Sequence, residues 1–165
     1  MNTSNSVITN KNRFGKYLMA TAGLLLLSIT SASHAEAAQT LHKTIKVQNQ
    51  DIFYREAGNE HKKTIVLLHG FPTSSHMYRN LIPKLAEEYH VIAPDYPGFG
   101  NSSMPTLNEF EYSFDNLAKI TDAFLEKVGA TEYTMYVMDY GAPIGFRIAA
   151  EHPERVQGLI IQNGN

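Results

Sequence analysis

Beyond residue 40 the chain alternates short apolar runs with amphipathic stretches, and each change of period marks an element. Thr44–Val47 and Ile52–Glu56 read as two strands joined by the polar turn Gln48-Asn49-Gln50-Asp51. Thr64–Leu68 is a continuous apolar run, the pattern of a strand covered on both faces. A helical stretch follows Ser74-Ser75, with Tyr78, Leu81, Ile82 and Leu85 at helical spacing and Pro83 breaking or restarting it. His90–Pro94 is a further short strand, ended by the turn-forming Asp95-Tyr-Pro-Gly-Phe-Gly100. Ser113 reads as an N-cap for a helix with Leu117, Ile120, Phe124 and Val128 on one face and Gly129 as its stop. Tyr133–Met138 is a strand, Gly141–Glu151 a helix ended near His152-Pro153, and Val156–Ile161 a last apolar strand. Such alternation predicts an α/β fold, a mostly parallel sheet with helices on both faces.

The first forty residues follow other rules. Lys11, Arg13 and Lys16 precede an apolar stretch, Tyr17–Ile29, and Ser33-His34-Ala35 and Ala35-Glu36-Ala37 offer small-x-small cleavage sites. We read residues 1–37 as a secretory signal peptide and 41–165 as the N-terminal part of one α/β domain. The apolar run is short for a spanning helix, although the same residues could serve as an uncleaved anchor. With the leader gone no membrane span is expected, and the protein would be secreted or periplasmic. The whole chain carries 14 basic and 16 acidic residues. Loss of the three leader cations leaves 11 against 16 or 15, according to the cleavage site, a net charge near −5 or −4. A mildly acidic protein without a basic run argues against nucleic acid as partner. There is no cysteine, so neither disulfides nor a thiolate metal site enters, and no metal or cofactor is expected. The 43% apolar and 18% charged content fits a packed core.

Candidate chemistry centres on Asp139, at the junction between the Tyr133–Met138 strand and the Gly141–Glu151 helix. Val137-Met138-Asp139-Tyr140-Gly141 has the context of a nucleophile elbow, with a carboxylate where the usual pattern has serine. A carboxylate there attacks alkyl carbon, and the product is an ester of the protein itself. Gly141 supplies the close approach such a turn needs, and Pro143 falls in the first helical turn, where a missing N–H is tolerated. The alternative is structural: an aspartate at a helix start also serves as an N-cap. Upstream, His69-Gly70-Phe71-Pro72 follows the apolar strand directly. The backbone N–H groups of Phe71 and Tyr140 are the candidate oxyanion hole. His69 reads as a structural residue under the turn, with Gly70 beside it. The Asp95–Gly100 loop reads as turn chemistry that could line the pocket mouth without reacting.

Taken together, His69-Gly-Phe-Pro-Thr-Ser-Ser75, Asp95-Tyr-Pro-Gly-Phe-Gly100 and Asp139-Tyr-Gly-Ala-Pro-Ile-Gly-Phe-Arg147 resemble the α/β-hydrolase superfamily. Within it they look like the Asp-nucleophile branch of epoxide hydrolases and haloalkane dehalogenases. The resemblance implies a small, apolar epoxide or haloalkane as substrate, Asp139 as nucleophile, and a histidine that activates water to hydrolyse the ester. Dehalogenases resembling this chain often carry Trp after the nucleophile and Asn or Glu after His-Gly. Tyr140 and Phe71 depart from both, which favours epoxide opening. Val137 also departs from the small residue usual before the elbow.

The family's base histidine and its acid lie later in the fold than this sequence reaches. His42, His61, His76, His90 and His152 match neither position. We therefore expect an α/β-hydrolase fold truncated after its sixth core strand, with little turnover as given. A competing expectation is a non-catalytic secreted remnant that binds a partner along its open sheet edge. A cofactor-free lyase or esterase of the same fold is a third.

Overall fold

The computed structural model describes residues 39–164; the expected leader, residues 1–37, lies outside the described residues. Six strands run in chain order: β1 (Leu41–Val47), β2 (Gln50–Ala57), β3 (Thr64–Leu68), β4 (His90–Pro94), β5 (Tyr133–Asp139) and β6 (Val156–Gly164). They form one sheet in the order β1-β2-β4-β3-β5-β6. The β4, β3, β5 and β6 strands are parallel, whereas β2 runs antiparallel to both its neighbours, to β1 through a tight turn.

At its centre the sheet is covered on both faces, which explains why β3 is apolar from Ile65 to Leu68. Val66 and Leu68 face one side, where they join Met135 and Val137 of β5 in a core with two helices, α2 (Phe114–Lys127) and α3 (Gly141–Glu151). Ile65 and Leu67 face the other, against Tyr78, Ile82 and Ala86, from the segment that includes the short helix α1 (Ile82–Leu85). Each fully buried aliphatic side chain contributes about 1.5–3 kcal/mol, so a polar residue at any of these alternating positions would be costly on one face or the other.

Local chemistry sets the helix boundaries. Ser113 Oγ accepts the Asn116 N–H at 3.2 Å, capping α2, and Gly129 ends the turn that follows with φ 77°. The stretch after Ser74 is two pieces, not one: a 3-10 turn over Ser75–Tyr78, then α1 with Pro83 in its first turn. Proline there restarts the helix because its missing N–H falls where no intrahelical partner exists.

The last strand is longer than its apolar run. Backbone pairing with β5 carries β6 through Gln162 to Gly164, opposite Met138 and Asp139. Among the described residues β6 is an edge of the sheet, and Leu159, Ile160 and Ile161 are 41%, 49% and 55% exposed. No helix among the described residues is long and apolar enough to cross a membrane.

Candidate active site

The elbow is built from a strained residue and two close approaches. Asp139 has φ 50°, a left-handed conformation that aspartate tolerates better than most side chains. It stands where β5 ends, two residues before α3 begins, and the carboxyl ends of β3 and β5 lie side by side. A Cβ on Gly70 would sit 2.5 Å from Asp139 Cβ, and one on Gly141 would overlap the Leu68 carbonyl oxygen. Glycine at both positions therefore lets the chain leaving β3 run directly against the elbow. Val137, the bulky residue before the turn, is accommodated from across the interface: a Cβ on Gly145 of α3 would lie 2.6 Å from Val137 Cγ1.

Asp139 Oδ1 accepts two backbone hydrogen bonds, from Phe71 N–H at 2.8 Å and Tyr140 N–H at 2.7 Å. The two amides come from loops at the ends of different strands and converge on one oxygen. Among the described residues no donor engages Oδ2. The positive end of the α3 dipole favours negative charge at the same place. Aromatic rings form one side of the site: Phe71 and Tyr140 lie 5.4 Å apart, Tyr140 and Phe114 5.0 Å, Phe71 and Phe99 6.3 Å. Phe71 is 58% exposed, so its ring is free to meet an apolar ligand.

His69 is fully buried and both its ring nitrogens are engaged. Nδ1 lies 2.9 Å from the Gly70 carbonyl oxygen and Nε2 accepts the Tyr96 N–H at 3.4 Å. These partners fix the neutral Nδ1–H tautomer. Burial pushes the imidazole pKa below its ordinary value, and Tyr96 covers the ring at 4.2 Å. With no lone pair free, His69 supports the turn and offers no base.

Asp95 is not at the pocket mouth. Its side chain is fully buried, with Oδ1 accepting the Ser75 N–H at 2.7 Å and Oδ2 the Asn101 N–H at 2.9 Å. The carboxylate thus ties the loop carrying Phe71 to the loop after β4. Arg55 of β2, also buried, donates to the Oγ of Ser75, the residue whose N–H binds Asp95, and so joins the same network. Phe99, from the loop expected to line the pocket mouth, does stand beside Phe71, whereas the sequence pointed to no role for Arg55 or Phe114 and none for Ser75 beyond its motif. The one available signal was a charged residue, Arg55, set directly beside the apolar run Ile52–Tyr54. No group of three His, Cys, Asp or Glu among the described residues is placed to hold a metal ion.

Comparison with known proteins fits this geometry. The chain is 49% identical over 123 residues to an uncharacterized hydrolase of Saccharomyces cerevisiae, across 73% of this chain and 42% of the yeast protein. It is 38% identical over 113 residues to a haloalkane dehalogenase of Bradyrhizobium diazoefficiens, across 68% of this chain and 36% of that protein. The crystal structure of the haloalkane dehalogenase DbeA from Bradyrhizobium elkani superposes with a TM-score of 0.72 at 32% identity, across 76% of this chain and 42% of that one. The chain therefore spans less than half the length of each of these relatives. Residues 63–165 match the alpha/beta hydrolase fold family. The chain belongs to that family and is related within it to haloalkane dehalogenases.

Proposed function

We propose that Asp139 is the nucleophile of a hydrolase acting on small apolar alkylating substrates, epoxides or haloalkanes. The observation that carries this reading is the pair of amides on Oδ1, which leaves Oδ2 unencumbered. Oδ2 attacks the electrophilic carbon, and the carbon–oxygen bond of an epoxide or the carbon–halogen bond breaks, its electron pair leaving on oxygen or halide. Water then attacks Cγ of the ester. The electron pair of the C=O moves onto Oδ1, where the Phe71 and Tyr140 amides already point, and collapse expels the alcohol. Proton removal from that water falls to a group other than His69, whose nitrogens are committed.

Two observations bear on the leaving group. The Phe71 side chain has no donor for a departing halide, which favours the epoxide; the names of the relatives favour the haloalkane. Incubation of the purified protein with a terminal epoxide and with a 1-haloalkane separates them. Diol formation supports the first and halide release the second. Equal product from Asp139→Asn, or no covalent adduct on Asp139 after exposure to either compound, removes Asp139 from the role.

The leader pattern supports export, with cleavage after Ala35 or Ala37. N-terminal sequencing of protein from a periplasmic or culture fraction is expected to begin at Glu36 or Ala38. An unprocessed Met1 terminus would contradict it.

A further inference from the structure

The amide of Phe71 is one end of a peptide plane whose other end is also held. The Gly70 C=O and the Phe71 N–H belong to one planar unit, so the direction of either fixes the other. The Gly70 oxygen is engaged by three donors: His69 Nδ1–H at 2.9 Å, Thr73 N–H at 3.1 Å and the Thr73 hydroxyl at 2.9 Å. Two of the three come from a single residue, and none of them touches Asp139.

We infer that Thr73 is a positioning residue for the candidate oxyanion hole. With His69 it pins the Gly70–Phe71 peptide so that the Phe71 N–H faces Asp139 Oδ1. Turning the plane over would withdraw that N–H and aim a carbonyl oxygen at the carboxylate. It would also strand three donors, one on a fully buried imidazole. The pinned orientation is thereby favoured before any substrate arrives, the condition under which a donor stabilises developing charge without reorganising. The Thr73 hydroxyl has a second neighbour, Met77 Sδ at 3.3 Å, but a thioether is a much weaker acceptor than a carbonyl. The next turn is anchored independently, through Ser75 on Asp95, so loss of the Thr73 hydroxyl leaves the loop in place.

The inference rests on the reading of Asp139 as nucleophile only for its catalytic consequence, and the test has one arm for each. Thr73→Val removes the hydroxyl at nearly constant shape, and Thr73→Ser keeps it. In proton–nitrogen correlation spectra, the Phe71 amide proton is expected to move upfield in Thr73→Val, as its bond to the carboxylate loosens, and to return in Thr73→Ser. In the kinetic arm, turnover is expected to fall about tenfold in Thr73→Val, part of the roughly hundredfold that follows loss of an oxyanion donor. Thr73→Ser is expected to recover most of it. An unmoved Phe71 amide in Thr73→Val, or the same change in both variants, would overturn the positioning role. Should the wild-type protein show no turnover, the amide shift alone decides the inference, and the functional reading fails only if Asp139 takes no covalent adduct from an epoxide or haloalkane.

Discussion

Asp139 holds a left-handed backbone and gathers two amides, and these features can be separated by substitution. Asp139→Asn keeps an oxygen for both N–H groups and a residue type that tolerates φ 50°. It is expected to retain the thermal midpoint within a few degrees while losing activity by about 10⁴-fold or more. Asp139→Ala strands both amides and is expected to cost an additional 1–3 kcal/mol or so in chemical denaturation. His69 supplies a pH dependence of definite sign. Burial depresses its pKa from the ordinary 6.5, so below that value the unfolded chain takes up a proton that the folded chain refuses. The His69 contribution to stability is therefore full above pH 6.5 and declines as pH falls through the window beneath it. Thermal midpoints measured from about pH 7.5 to about pH 5.5 should fall, and the His69 ring should titrate below its ordinary value. A ring that titrates at or above its ordinary value would contradict the account.

At the scale of elements, the contact between β5 and α3 decides how a bulky elbow is tolerated. Gly145→Ala would gain up to about 1 kcal/mol in helix propensity but press a methyl against Val137, and overpacking of this kind costs about 1–3 kcal/mol. The clash should win, so the substitution is expected to destabilise the wild-type background. In a Val137→Ala background the same change should become neutral or stabilising, and a double-mutant cycle by denaturant unfolding reads the coupling directly. Removing the α2 cap with Ser113→Ala is expected to lower stability by about 1 kcal/mol. These elements were largely legible in the sequence, because the signals that set them are local. The apolar run Thr64–Leu68, the Ser113 cap and the Gly129 stop each specify a boundary within a few residues. The break that Pro83 announced is there, but its exact place and the extension of β6 to Gly164 were less legible. The first depends on where the turn closes, and the second on backbone pairing with β5, which no side chain announces.

Across the whole molecule, what escaped the sequence is what long-range contact creates. Asp95 looks like a strand-ending loop residue until the sheet brings Ser75, 20 residues earlier, onto its carboxylate and Arg55 onto Ser75. The motifs around Asp139 could be read because family turns carry recognisable residues; the network beneath them has no such local mark. The sheet order also puts an apolar strand at an edge, where Leu159, Ile160 and Ile161 are exposed among the described residues. Such edges favour intermolecular pairing, so Ile161→Lys is expected to reduce aggregation of the 165-residue chain, measured by light scattering against concentration. The proposed chemistry turns on a single bond, between Asp139 Oδ2 and a carbon of the substrate. The direct measurement is peptide mass mapping after brief exposure to a small epoxide or haloalkane. The expected result is an added mass on the peptide bearing Asp139, absent from Asp139→Asn. Turnover with the adduct on another residue, or an unchanged adduct in Asp139→Asn, would contradict it.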